Sequence, residues 1–137
     1  MHIYELDTPS VVIDLDVLER NIEGMAAHCR DLGITLRGHT KSHKNPEIAK
    51  MQVAAGSQGI VCQKLGDAEN MARAGLDDIL MTYNIVGRQK VRRLTELARL
   101  RRMTVTVDSL AVASGISKQA VIDNVMVGIL VEIDTGG

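Results

Sequence analysis

Apolar positions along the chain follow two alternating rhythms. Short aliphatic or β-branched runs are separated by longer stretches in which apolar residues recur every three or four positions. The run VVIDLD (11–16) reads as a strand. Leu18, Ile22, Met25, Cys29 and Leu32 then step by four, three, four and three, one apolar stripe on a helix closed by Gly33. ITLRGH (34–39) predicts the next strand. Asn45-Pro46-Glu47 supplies an N-cap, a first-turn proline and a first-turn acid for a helix running to Gly56. The alternation continues with a strand at GIVCQ (59–63), a helix stopped by Gly75, and a strand at DILMTY (78–83). A helix at 88–102 follows, with Val91, Leu94, Leu97 and Leu100 on its buried stripe. A strand at MTVTVD (103–108), a helix at 109–123 capped by Ser109 or Asp108, and a strand at VMVGILVEID (125–134) complete the series.

Strands alternating with helices every 20 to 25 residues or so are the mark of parallel βαβ units. Two α/β architectures fit: an open doubly wound sheet, or about five strands of a (β/α)8 barrel, which takes about 250 residues in full. The barrel reading is preferred, because no Gly-rich phosphate fingerprint follows the first strand and the chain stops at VEIDTGG directly after a strand. Residues 1–137 are therefore expected to be the first portion of a larger barrel domain.

Composition narrows the function. The 137 residues carry a net charge of −1, contain no Phe or Trp, and have only Tyr4 and Tyr83 as aromatics. Nucleic acid is not expected as a partner, for want of both positive charge and a stacking platform. The seven cations at Arg88, Lys90, Arg92, Arg93, Arg99, Arg101 and Arg102 are read as the solvated face of a barrel helix rather than a binding surface. No apolar run is long enough to span a membrane, the start MHIYELDTPS lacks signal-peptide features, and two unpaired cysteines suit a reducing compartment. A cytoplasmic protein is expected.

In parallel architectures, function collects at the C-terminal ends of strands. There the stretch RGHTKSHKNPE (37–47) concentrates titratable nitrogen. A solvated basic turn, a metal site and a covalent lysine all merit weighing. His39 and His43 lack a third metal ligand of matching spacing. Strand parity places Arg37, His39 and Lys41 on one face, with Lys41 at the mouth. Neighbouring positive charge from Arg37 and His39, together with partial burial, favours the neutral amine that a Schiff base requires. His43 is assigned as a proton carrier or cofactor contact. Gln63, Tyr83 and Asp134 end later strands and are candidate site residues, and Glu132 and Asp134 are expected to pair with the bases of the first strand.

The stretches DTPSVVIDLDVLERNI, LRGHTKSHKNPEIA, GIVCQKLGDAENMARAGLDDILMTYNIVG and VEIDTGG closely resemble, in order across the whole chain, one known group. It is the D-threonine aldolase and D-serine dehydratase group, pyridoxal-phosphate enzymes of the alanine racemase fold type. The resemblance implies a (β/α)8 barrel followed by a β-domain, to which the leading VVIDLD strand usually belongs. It implies that Lys41, first lysine of H-x-K-x-H-K, carries pyridoxal 5'-phosphate, and that the intact protein is a homodimer acting on a small β-hydroxy D-amino acid. A divalent metal is implied too, with its ligands beyond Gly137. VCQKLGDAE looks more like the aldolase branch, with glycine and an aldehyde as products; dehydration, racemase-type chemistry and a non-catalytic carrier are the alternatives. Gly38 stands where the group commonly has proline, and Ser42 where threonine is common. The chain alone is expected to bind the cofactor poorly and to be inactive.

Overall fold

A computed structural model describes residues 2–136. Five helices, α1 (Leu15–Asp31), α2 (Pro46–Ala54), α3 (Leu65–Arg73), α4 (Arg88–Ala98) and α5 (Leu110–Asp123), alternate with five strands. These are β1 (Arg37–His39), β2 (Gly59–Cys62), β3 (Asp78–Met81), β4 (Arg102–Val107) and β5 (Gly128–Val131). Every pairing is parallel, and the strand order is β1-β2-β3-β4-β5. That order decides between the two expected architectures. A doubly wound sheet reverses direction at a switch point and puts helices on both faces; here each unit adds on the same side, as in a barrel wall.

The strand residues show the two faces directly. Ile60, Cys62, Ile79, Met81, Met103, Val105 and Val107 join Leu65, Met71, Leu94, Ile116 and other helix residues in one apolar cluster. The alternate positions, Arg37, His39, Gly59, Val61, Asp78, Leu80, Arg102, Thr104 and Thr106, lie on the opposite, concave face and outside that cluster. The aliphatic composition follows from this layering, because strands covered by helices on one side pack best with branched side chains.

Helix boundaries follow local capping chemistry. Asp14 accepts from the Val17 N–H at 3.1 Å to start α1, Asn45 accepts from the Glu47 N–H at 2.8 Å to start α2, and Ser109 accepts from the Val112 N–H at 3.4 Å to start α5. Gly33 follows the last cap of α1 with φ 66°, the left-handed conformation that glycine adopts without strain.

Three expectations are corrected. Val11, Val12 and Ile13 form no strand: no neighbour pairs with them among the described residues, they are exposed, and Asp14 turns the chain into α1. The last strand is four residues long rather than ten, because it pairs only where β4 runs beside it. Leu100 lies past the end of α4 and is exposed, while Thr95 takes the buried place, donating from Oγ1 to Asp123 at 2.6 Å. No helix among the described residues is long and apolar enough to cross a membrane.

Candidate active site

Strand β1 ends at His39, and the chain turns at once. Thr40 is buried and anchors the turn to β2: its N–H donates to the Val61 carbonyl at 2.9 Å and its hydroxyl to the same carbonyl at 3.0 Å. The Lys44 N–H closes the turn on the Thr40 carbonyl at 2.8 Å, with Lys44 itself at φ 50°. Lys41 projects from this turn at the C-terminal end of β1 and is exposed, not partly buried as expected, because the turn carries it clear of the packed strand. Its backbone N–H donates to Nδ1 of His39 at 3.2 Å. Burial, and then the adjacent Lys41 charge, pull the His39 imidazole below its ordinary pKa. Both effects favour the neutral ring, whose Nδ1 accepts the Lys41 N–H.

At the same end of the next two strands, Gln63 and Tyr83 line one cavity of about 350 Å³, together with Lys64, Lys90 and Arg93. Tyr83 is half exposed, and Arg93 is engaged by Glu69 through hydrogen bonds of 2.6 and 2.8 Å. Between β3 and β4 the loops are tied by a reciprocal pair: the Asn84 amide donates to Asp108 at 2.8 Å, and the Asp108 N–H returns to Asn84 Oδ1 at 3.2 Å. This tie fixes the rim beside Tyr83. Their pairing depends on the register of two strands.

The model of the alanine racemase N-terminal domain matches residues 13–137. The chain belongs to that family. The D-threonine aldolase of Arthrobacter sp is 40% identical over 131 residues, which is 96% of this chain and 35% of that protein. The crystal structure of D-threonine aldolase from Filomicrobium marinum superposes with a TM-score of 0.96 at 39% identity, over 98% of this chain and 37% of that one. D-threo-3-hydroxyaspartate dehydratase from Delftia sp. HT23 superposes at 0.87 with 35% identity, over 96% and 35% of the respective chains. The chain thus spans about a third of the length of the proteins it matches, and its five strands form an arc of an alanine racemase-type barrel.

Within this alanine racemase N-terminal domain, His39 and Lys41 are brought together, and so are Gln63 and Tyr83. Arg37 is not. It stands at the N-terminal end of β1, where its guanidinium donates to both carboxylate oxygens of Asp78, at 2.7 and 3.0 Å. Arg102 meets the same carboxylate at 2.7 Å. The expected source of charge beside Lys41 is thus committed at the far end of the strand, and its partner is Asp78 rather than Glu132 or Asp134. His43 points to the other side of β1, into a cavity under α1 and α2. Asp134 is exposed and accepts from the Gly136 N–H at 2.9 Å, the geometry of a turn former. Among the described residues, no three His, Cys, Asp or Glu side chains cluster as a metal ion would require.

Proposed function

We propose that the intact protein containing this chain is a pyridoxal 5'-phosphate-dependent lyase of β-hydroxy D-amino acids, D-threonine aldolase-like, and that Lys41 is the residue bonded to the cofactor. The observation that carries the proposal is the placement of Lys41. A primary amine stands exposed at the C-terminal end of β1 in this fold, on a turn fixed at its own N–H by a neutral imidazole. A lysine so placed offers its amine to an aldehyde without competing for an internal partner. Pyridoxal phosphate, when bound, supplies the electron sink that lets bonds at the amino acid's α-carbon break.

The chain's own residues prepare that chemistry. Thr40 and His39 fix the backbone that presents Lys41, so the amine searches little space. Gln63 and Tyr83, just past the C-terminal ends of β2 and β3, are the polar groups we assign to meet the substrate or the ring. The remaining barrel strands, a β-domain and the ligands of a divalent metal are assigned to parts of the intact protein outside residues 1–137, with dimerisation and a cytoplasmic setting. The chain by itself is expected to be inactive.

The test is an absorbance spectrum of the intact protein with pyridoxal phosphate, followed by borohydride reduction and peptide mapping. A label on Lys41 is expected; a label elsewhere, or none, overturns the assignment. Product analysis then separates the branches. D-threonine should yield glycine and acetaldehyde, whereas 2-oxobutanoate and ammonia would mark the dehydratase alternative.

A further inference from the structure

Two rings in the stretch 37–47 make the same hydrogen bond. His39 Nδ1 accepts the N–H of Lys41 at 3.2 Å, and His43 Nδ1 accepts the N–H of Asn45 at 3.0 Å. Each imidazole therefore caps the backbone two residues on, as an aspartate or asparagine oxygen does in an Asx turn. A ring nitrogen that accepts carries no proton, so a neutral ring in this role holds its hydrogen on Nε2. The two rings bracket the turn on which Lys41 stands, and the second cap also holds Asn45, the residue that starts α2.

Behind His43 the surroundings suit that tautomer. Its Nε2 is buried in a cavity of about 430 Å³ between α1, β1 and α2. Gln52 Oε1 and Ser57 Oγ are buried in the same cavity, and none of the three atoms has a hydrogen-bond partner among the described residues. An Nε2–H donor and an amide oxygen acceptor are complements, and both atoms border this one cavity without a hydrogen bond between them; burial pulls the His43 imidazole below its ordinary pKa. The amide of Gln52 fits here because residue 38 is glycine: a Cβ at Gly38 would stand 2.9 Å from the Gln52 amide. From α1 the ring is faced by Leu18, Asn21, Ile22 and Met25, and from the residue before β1 by Leu36, none of them titratable. The neighbouring Lys44 ammonium is directed to Asp67, 3.9 Å away.

We infer that His43 is a positioning residue for Lys41: as the Nε2–H tautomer its Nδ1 holds the Asn45 N–H while Nε2 faces the buried cavity, and it locks the lysine turn from behind without touching the cofactor. This inference rests on the reading of Lys41 as the cofactor lysine and replaces the expected cofactor contact at His43.

Two measurements on the intact protein test it. The first is long-range 1H–15N correlation of 15N-histidine-labelled protein near neutral pH, with His43 assigned by substitution. The Nε2–H tautomer is expected, unchanged when pyridoxal phosphate is added. An Nδ1–H or doubly protonated ring, or a tautomer change on cofactor addition, overturns the inference. The second is the rate at which pyridoxal phosphate labels Lys41 in two variants. His43→Asn keeps an oxygen able to accept from the Asn45 N–H, so its rate should stay within about threefold of the parent. His43→Leu keeps bulk but no acceptor, and its rate should fall about tenfold or more. Equal rates in the two variants would also defeat it. A label found on another residue while His43 remains the Nε2–H tautomer would sink the cofactor assignment alone and leave the turn lock standing.

Discussion

Arg37 on β1 grips Asp78 on β3 with two hydrogen bonds, passing over the strand that lies between them. The passage is open because β2 begins with glycine. A Cβ on Gly59 would lie 2.6 Å from Nη1 of Arg37 and 2.8 Å from Cβ of Asp78. Neither neighbour can retreat freely, since Asp78 is buried and also held by Arg102. Gly59→Ala should therefore destabilise the protein by about 1–3 kcal/mol, the usual range for overpacking. The urea midpoint is the measurement, and an unchanged midpoint would show that the bridge is slack.

Arg37 itself offers a second check. Arg37→Leu leaves the Asp78 carboxylate with one cationic partner and should lower stability by about 1–3 kcal/mol. Because the guanidinium lies at the opposite end of β1 from the lysine, cofactor labelling of Lys41 should stay within about threefold of the parent rate at a temperature where both proteins are folded.

Lys41→Ala should show the reverse pattern. The side chain is exposed, so stability should change by no more than about 0.5 kcal/mol. Covalent attachment of pyridoxal phosphate, read as borohydride-stable mass on the 41-containing peptide, should be lost.

The α3–α4 ion pair predicts a pH dependence. Hydrogen bonds from Arg93 hold the Glu69 carboxyl below its ordinary range, against a smaller opposing effect of burial. A carboxylate whose folded-state pKa is depressed stabilises fully above its unfolded value, about 4.3, and loses that share as pH falls through the lowered one. Glu69→Gln should accordingly flatten the acid limb of a urea-midpoint profile between about pH 5 and pH 3. At neutral pH the loss should be small, about 0.2–1 kcal/mol, as for other surface pairs.

The two thiols should differ in reactivity. Cys62 is fully buried and is reached by the Thr40 hydroxyl at 3.5 Å, and burial pushes its thiol pKa up. Cys29 is only partly covered. Brief alkylation of the folded protein should modify Cys29 alone, and Cys62 should react only once denaturant is added, as peptide masses would show.

Much of the lysine turn is legible in the sequence because its determinants are local. Asn45-Pro46-Glu47 starts a helix wherever it occurs in such a context, and the short run before it ends in a strand. The direction of His43 is not legible in the same way. Strand parity governs side chains only while the backbone stays extended, and the extended segment stops at His39, so positions beyond it are aimed by the turn. Arg37 misleads for a different reason. Parity places it correctly on the concave face, but its partner is fixed by strand register and by a missing side chain on β2. Val11 to Ile13 have strong strand propensity, yet propensity does not provide a neighbour to pair with. The short β5 teaches the same lesson, since its apolar run extends well beyond the residues that β4 accompanies.

The unbroken strand order also bears on how the molecule assembles. Among the described residues each strand meets only its immediate predecessor and successor, so each of these ladders closes a loop of about 20 to 25 residues. A fault is correspondingly contained: damage at Gly59 would hinder the zipping of β2 onto β3 while leaving β3, β4 and β5 free to join. Gly59 lies in the ladder that borders the lysine turn, so a fault there falls on the part of the wall that carries Lys41.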